Sequence, residues 1–484
     1  MPTIDLTLLT DFYQLTMIQG YYKLNQKDQV VVFDLFYRSN PHGSSFSIAA
    51  GLEQAIQYIK DINFTDDDID YLRSQHIFKE DFLEYLKSFT FTGDIYAVPE
   101  GTVVFPNEPL VKVIAPLREA QLIETALLNI INHQSLIATK AARVKWAAED
   151  DIVLEFGLRR AQGPDAGIYG ARAAVIGGCS ATSNVLAGQL FDIPVKGTHA
   201  HSWVMSFPDE LTAFREYAKL YPMNCLLLVD TYDTLRKGVP NAIKVFQELK
   251  EKGIKPKFYG IRLDSGDLSY LSKKARKMLD EAGFTDAIIS ASSDLDEYLI
   301  RDLKLQGSKI TLWGVGTNLI TSKGNPSFGG VYKLSAKYVD GAFEPKLKIS
   351  ENPDKITNPG NKKIVRIYDK ETGKIKADLI ALQHEVIHEN QSLLLFDPNA
   401  TWKHMRLQPG SFIARELLVP IFKNGTCIYD CPSTFDIKQY CNKELTTLWD
   451  ESRRLTNPQT VYVDLSEELY DLKHTLMKQY KSMQ

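Results

Sequence analysis

The stretch FYGIRLDSGDLSYLSKKARKMLDEAGFTDAIISASSD, residues 258–294, decides the fold class. An apolar run ends in Arg262, Asp264 and Ser265. A helical pattern fills 268–283, and a second apolar run ends in Ser292, Ser293 and Asp294. A strand, a helix and a strand in that order make a crossover unit, which places the two strands parallel. Working outward, the same unit recurs. IVLEFGLRR (152–160) ends in Gly157 and Arg159, CLLLVDTYD (225–233) in Asp230 and Thr231, and ITLWGVGT (310–317) in Gly314, Gly316 and Thr317. The spacing is roughly 20–35 residues, with helical stretches such as 241–253 between strands. Five clear strands, with short ones near 180 and 195, predict an irregular, incomplete (β/α) barrel over 151–340, in the α/β class. In such folds the polar residues at the C-terminal strand ends carry the chemistry.

The flanks read differently. Residues 1–150 predict an α+β domain: a helix capped by Thr10 and running to Tyr22, a strand at 30–38, helices at 51–60, 66–74 and 80–88, two strands within 101–116 and a long helix over 117–149. Residues 341–484 form a third segment, with strands at 363–369 and 379–387 and a closing helix at 466–480; 330–339 reads as a strand just before it.

Bulk properties exclude more than they assign. The chain has 484 residues, 44% apolar and 24% charged, with a net charge of −4, so neither nucleic acid nor an anionic membrane is an expected partner. Five scattered cysteines suit a reducing compartment better than a disulfide framework. The first residues lack a basic n-region, and no apolar run approaches ~20 residues, so a cytoplasmic protein is expected. Walker-type loops and GxGxxG are absent.

Four constellations carry candidate chemistry. In EFGLRRAQGPDAG (155–167) the adjacent arginines follow a strand; Arg159 can grip a carboxylate or phosphate, or simply cap a helix. Arg262 and Asp264 lie two apart at a strand end, either as a substrate-recognising pair or as an ion pair holding a turn. WGVGTNL (313–319) is a glycine-rich loop whose amides can cradle phosphate. KGTHAHSW (196–203) sets His199 and His201 on one side if the segment is extended. The alternatives are metal ligation, for which two histidines are too few, phosphoryl relay, or packed imidazoles. Cys427, Cys431 and Cys441 lack a fourth ligand and read as packed thiols rather than a metal site.

Taken together and in order, LLTDFYQLTM (8–17), FDLFYRSNP, EFGLRRAQGPDAG, GTHAH, LLVDTYDT, GIRLDSGDL and WGVGTN resemble the nicotinate phosphoribosyltransferases, a type II phosphoribosyltransferase family. The resemblance covers the chain to at least residue 340. It implies an irregular barrel beside an α/β domain built from N- and C-terminal segments, so that part of 340–484 completes the first domain. It also implies transfer of phosphoribose from 5-phosphoribosyl 1-pyrophosphate (PRPP) to nicotinate, giving nicotinate mononucleotide and pyrophosphate. The reaction is coupled to ATP hydrolysis through a phosphohistidine, as the entry step of NAD salvage from nicotinate.

The same resemblance implies the site residues. His201 is the phosphohistidine, and His201, Arg262 and Asp264 form the catalytic group. Tyr13, delivered from the other subunit of a homodimer, and Phe156 stack on the two faces of the pyridine ring. Arg159 and Arg262 meet its carboxylate or the phosphates of PRPP. Thr198, Ser293, Gly314, Gly316 and Thr317 hold phosphate, and Asp264 lies near the ribose and its Mg2+. Ser183-Asn184 stand where nicotinamide-using relatives carry an acidic residue, which favours nicotinate. His199 falls at a variable position of the family and is expected to be incidental.

Overall fold

In the computed structural model, residues 5–352, 355–400 and 402–482 are described. The chain divides into two compact units. One comprises 1–136, 327–432 and 439–484; the other comprises 137–326 and 433–438. The helix Glu124–Ala148 carries the chain from one to the other.

The second unit is built on six parallel strands in the order 181–182, 152–155, 312–315, 288–291, 258–263, 224–228. Val195 extends one edge through a parallel bridge to Thr182. This is the incomplete (β/α) barrel expected from the strand–helix repeat. The strands are short and apolar, and Leu226, Ile261, Ile289 and Trp313 are each buried almost completely. Aspartates start the following helices. Asp267 accepts the Tyr270 N–H, Asp296 those of Tyr298 and Leu299, and Asp209 that of Thr212. Such caps stabilise a helix by ~1 kcal/mol each and fix where the strand-end loops stop.

The first unit interleaves the two ends of the chain. Its seven-stranded antiparallel sheet runs 342–345, 330–339, 30–37, 111–116, 94–97, 419–423, 426–427. Asp94–Ala97 therefore lies between a near neighbour in sequence and a strand more than 300 residues away. A second, mixed sheet of six strands lies within 362–465. The core of the unit draws on both ends, with Phe33 stacked on Tyr332 at 4.7 Å and Val113 and Ile421 fully buried.

Several sequence expectations shift in detail. The first helix runs Phe12–Lys23 after Asp11, and the Thr10 hydroxyl donates to the Leu122 carbonyl instead of capping. The long helix breaks at Ile123, because Leu117–Leu122 closes as its own short helix before Glu124. The strand placed at 379–387 is Ile375–Leu382, followed by a turn in which Glu385 accepts the Leu382 N–H.

Candidate active site

The barrel strands deliver polar side chains to their C-terminal ends, where backbone pairing stops and loops begin. Ile152–Glu155 ends in a buried carboxylate. The Thr182 hydroxyl donates to Glu155 Oε2 at 2.6 Å, and the Gly157 N–H donates to Oε1. Two strand ends and a bend are thus held by one side chain. Desolvation raises the Glu155 pKa, opposed by these two hydrogen bonds.

Phe156 follows and lies against the next strand. A Cβ on Gly314 would fall 2.6 Å from the Phe156 ring, and one on Gly316 would fall 3.0 Å from the Phe156 carbonyl oxygen. The glycines of WGVGT are therefore required, at minimum, so that the two strand ends can approach. Thr317 opens the short helix Thr317–Ile320 behind them. Ser293, exposed at the end of Ile288–Ala291, holds φ at +103°. That is a strained backbone for a residue with a side chain, and such strain gathers at functional sites.

Arg262 extends from Phe258–Leu263. Its Nη1 donates to the Thr198 hydroxyl. Desolvation lowers its pKa, Arg159 adds to that, and the carboxylates of Asp264 and Asp230 oppose it. Its charge is thus offset by two acids, and the side chain lines the barrel cavity. Asp264 is fixed twice. Its backbone N–H donates to Asp230 Oδ2 at 2.8 Å, and its Oδ1 accepts from the Ser292 hydroxyl. The Ser265 hydroxyl also donates to Asp230 Oδ2, at 2.7 Å.

His201 starts the helix His201–Met205, with Nδ1 3.0 Å from the Thr231 hydroxyl and Nε2 3.7 Å from Asp264 Oδ2. Its side chain is 39% exposed, so the ring is reachable from solvent. His199 does not share that side. Because the chain turns into the helix at His201, His199 is driven inward and buried.

Arg262, Thr198 and Phe156 also line a cavity of about 810 Å³ inside the barrel. Its other walls include Leu154, Leu226, Ser290 and Leu312. A largely apolar pocket walled in part by a half-buried guanidinium suits a flat aromatic anion. Arg159, in the turn Leu158–Arg160, is exposed and close enough to influence Arg262.

The structure thus brings His201, Asp264, Arg262, Thr198, Phe156 and Gly314 into one constellation, with Arg159, Ser293, Gly316 and Thr317 on neighbouring loops of the same unit. Tyr13 belongs to the other unit, half exposed on Phe12–Lys23. Sequence reasoning left Asp230, Thr231, Ser292 and Glu155 without roles. The signal for Asp230 was present, a carboxylate closing the apolar run CLLLVD.

Among the described residues no group of three or more His, Cys, Asp or Glu side chains is arranged to hold a metal. Mg2+ does not need one, since it commonly binds through one or two carboxylates plus substrate phosphates and water. Asp230 Oδ1 is buried without a hydrogen-bond partner next to the Asp264 backbone, which fits such a site. None of the five cysteines forms a disulfide; Cys441 is buried, and Cys427 donates to the Tyr429 carbonyl. No helix among the described residues is long and apolar enough to cross a membrane.

Comparison with known proteins covers nearly the whole chain. The family model described as the N-terminal domain of nicotinate phosphoribosyltransferase matches residues 8–132, the family model matches 152–371, and the C-terminal-domain model matches 361–473. The chain is 50% identical over 478 residues to the nicotinate phosphoribosyltransferase of Bacillus subtilis (strain 168), covering 99% of this chain and 96% of that one. It is 36% identical over 526 residues to that of Dictyostelium discoideum, with 97% and 88% covered. The crystal structure of human nicotinic acid phosphoribosyltransferase superposes with a TM-score of 0.84 at 31% identity, covering 96% of this chain and 99% of that one. These matches over nearly the whole chain place it in the nicotinate phosphoribosyltransferase family.

Proposed function

We propose that this chain transfers phosphoribose from PRPP to the ring nitrogen of nicotinate, releasing pyrophosphate, with ATP hydrolysis coupled through His201. The observation that carries this reading is the convergence of Arg262, Asp264 and His201 on one mouth of a parallel barrel above an apolar cavity.

The transition state carries positive charge at the anomeric carbon, and Asp264 is held rigidly enough by Ser292 and Asp230 to stabilise it without reorganising. The Arg262 guanidinium, within an apolar wall, favours the carboxylate of nicotinate over a neutral amide. Phe156 supplies one stacking face. Tyr13, from the second copy in a homodimer, supplies the other. Arg159, Thr198, Ser293, Gly314, Gly316 and Thr317 hold the phosphates of PRPP. Asp264 and Asp230 would hold Mg2+, which when bound neutralises the departing pyrophosphate. His201 takes the γ-phosphoryl group of ATP on a ring nitrogen, ADP departs, and the phosphoenzyme binds PRPP productively. The enzyme works in the cytoplasm.

The test combines protein, nicotinate, PRPP, Mg2+ and ATP, with nicotinamide and quinolinate as competitors. Nicotinate mononucleotide is the expected product. Absence of product across conditions, or preference for another pyridine, refutes the assignment. His201→Asn should abolish protein labelling from γ-32P-ATP, and persistent labelling would put the phosphoryl group elsewhere.

A further inference from the structure

The barrel sheet is open between Val195 on one side and Asn224–Leu228 on the other. On the first side the ladder is ordinary: the Thr182 N–H donates to the Pro194 carbonyl at 3.1 Å, and the Lys196 N–H to the Thr182 carbonyl at 2.9 Å. The pairing then stops, and the chain crosses toward Asn224–Leu228 as irregular backbone through residues 197–200. There the Leu228 N–H, on a residue with no exposed surface, donates to His199 Nε2 at 3.2 Å. A side chain stands in for the missing strand.

The imidazole is suited to that position. Nδ1 lies 3.3 Å from the Ala200 carbonyl, which can only accept, so the proton sits on Nδ1 and Nε2 is left bare to accept from Leu228. The ring meets Tyr217 edge-on at 4.7 Å and lies 6.2 Å from Phe214, both on the helix Glu210–Leu220. Burial keeps it neutral, with the pKa lowered to about 4.

Its neighbours in sequence are the reactive ones. Thr198 accepts from Arg262, and His201 meets Thr231, so residues 198–201 are tied to the ends of two neighbouring strands. We infer that His199 is a positioning residue: it latches the loop bearing Thr198 and His201 onto the edge strand, and so fixes the phosphoryl acceptor relative to Arg262 and Asp264. The need for a latch follows from charge, because a phosphorylated His201 places ~1.5–2 negative charges next to Asp264 and would drive an untethered loop outward. The catalytic part of this inference rests on the function proposed above; the closure itself does not.

The experiment compares His199→Phe, which keeps the packing and loses both hydrogen bonds, with His199→Gln, whose amide oxygen can still accept from Leu228. Amide exchange of the 225–230 peptide, followed by mass spectrometry, reads the closure. Labelling from γ-32P-ATP and the KM for PRPP read the positioning. In His199→Phe the peptide should lose protection, labelling should slow, and KM should rise roughly ten- to hundredfold. His199→Gln should recover all three. If His199→Phe does not fold, His199→Asn, whose amide stops short of Leu228, replaces it. Unchanged protection in the Phe variant overturns the latch. Recovered protection in His199→Gln without recovered labelling overturns the positioning. A wild-type enzyme that is never labelled refutes the phosphohistidine reading, while exchange still decides the closure.

Discussion

Replacing Gly314 by alanine separates two readings of the WGVGT loop. The new Cβ would lie 2.6 Å from Cδ2 and 2.7 Å from Cε2 of Phe156, and 3.6 Å from the Ala291 carbonyl oxygen. The ring must therefore retreat by about 0.8 Å to reach the 3.4 Å at which ordinary contact begins. It has somewhere to go, because Phe156 lines the open barrel cavity. The cost to folding should be about 1 kcal/mol, at the low end for overpacking. The cost to chemistry should be larger, since a displacement near 1 Å of a stacking surface lowers turnover by up to ~10²-fold. The assay is steady-state kinetics with each substrate varied in turn, beside a thermal melt. If Phe156 stacks on the pyridine, KM for nicotinate rises and kcat falls while KM for PRPP stays near wild type. If Gly314 serves chiefly to bring its amide to phosphate, KM for PRPP rises instead. A variant that melts lower but keeps both KM values and kcat refutes the reasoning that Phe156 and Gly314 form one substrate surface.

Four further outcomes are expected. Arg262→Lys keeps a charge but loses the planar fork, so kcat/KM for nicotinate should drop roughly 10- to 100-fold, measured against nicotinate concentration. Glu155→Ala, which orphans the Gly157 N–H, should cost ~1–3 kcal/mol in chemical denaturation, whereas Glu155→Gln should cost less, because its amide oxygen can still accept from Gly157 and its NH2 can donate to the Thr182 hydroxyl. His199 has a folded pKa below its unfolded value, so its contribution is complete above the unfolded pKa near 6.5 and is lost as pH falls toward about 4. The stability gap between wild type and His199→Phe should accordingly shrink by up to ~3 kcal/mol between pH 7 and pH 4. Tyr13→Ala and His201→Asn, each inactive alone, should recover about a quarter of wild-type activity after mixed refolding if Tyr13 acts across a dimer; no recovery would put Tyr13 in its own chain's site or outside the site.

The barrel was legible because its strands are continuous apolar runs that stop abruptly at Asp230, Arg262, Ser292 and Gly314, a pattern that needs no distant partner to read. The C-terminal sheet was legible only in its strands Lys362–Asp369 and Ile375–Leu382. Leu393–Phe396, His404–Leu407 and Phe412–Glu416 are four or five residues long and mixed in polarity, and their pairing is set by tertiary packing. The histidine pair misled for a related reason. The two-residue spacing puts both rings on one side only in extended chain, and the turn into His201–Met205 separates them. Asp230 was read as a strand-end carboxylate but given no role, because it holds the Asp264 backbone through a contact across 34 residues that local pattern does not show.

The interleaved sheet of the first unit has a consequence for how the polypeptide is made. Asp94–Ala97 gains its second neighbour only when Val419–Lys423 has been synthesised. At a translation rate of ~5–20 residues per second, that leaves one flank of the nascent sheet unpaired for roughly 15–65 s. During that interval the ribosome-bound chain presents a bare row of amides and carbonyls to its surroundings, a template for pairing with another chain. The barrel unit, most of whose sequence is contiguous between 137 and 326, emerges from the ribosome well before that flank is covered. Slow translation or a shortage of chaperones should therefore harm the yield of this enzyme through its seven-stranded sheet first, long before anything goes wrong at the catalytic mouth.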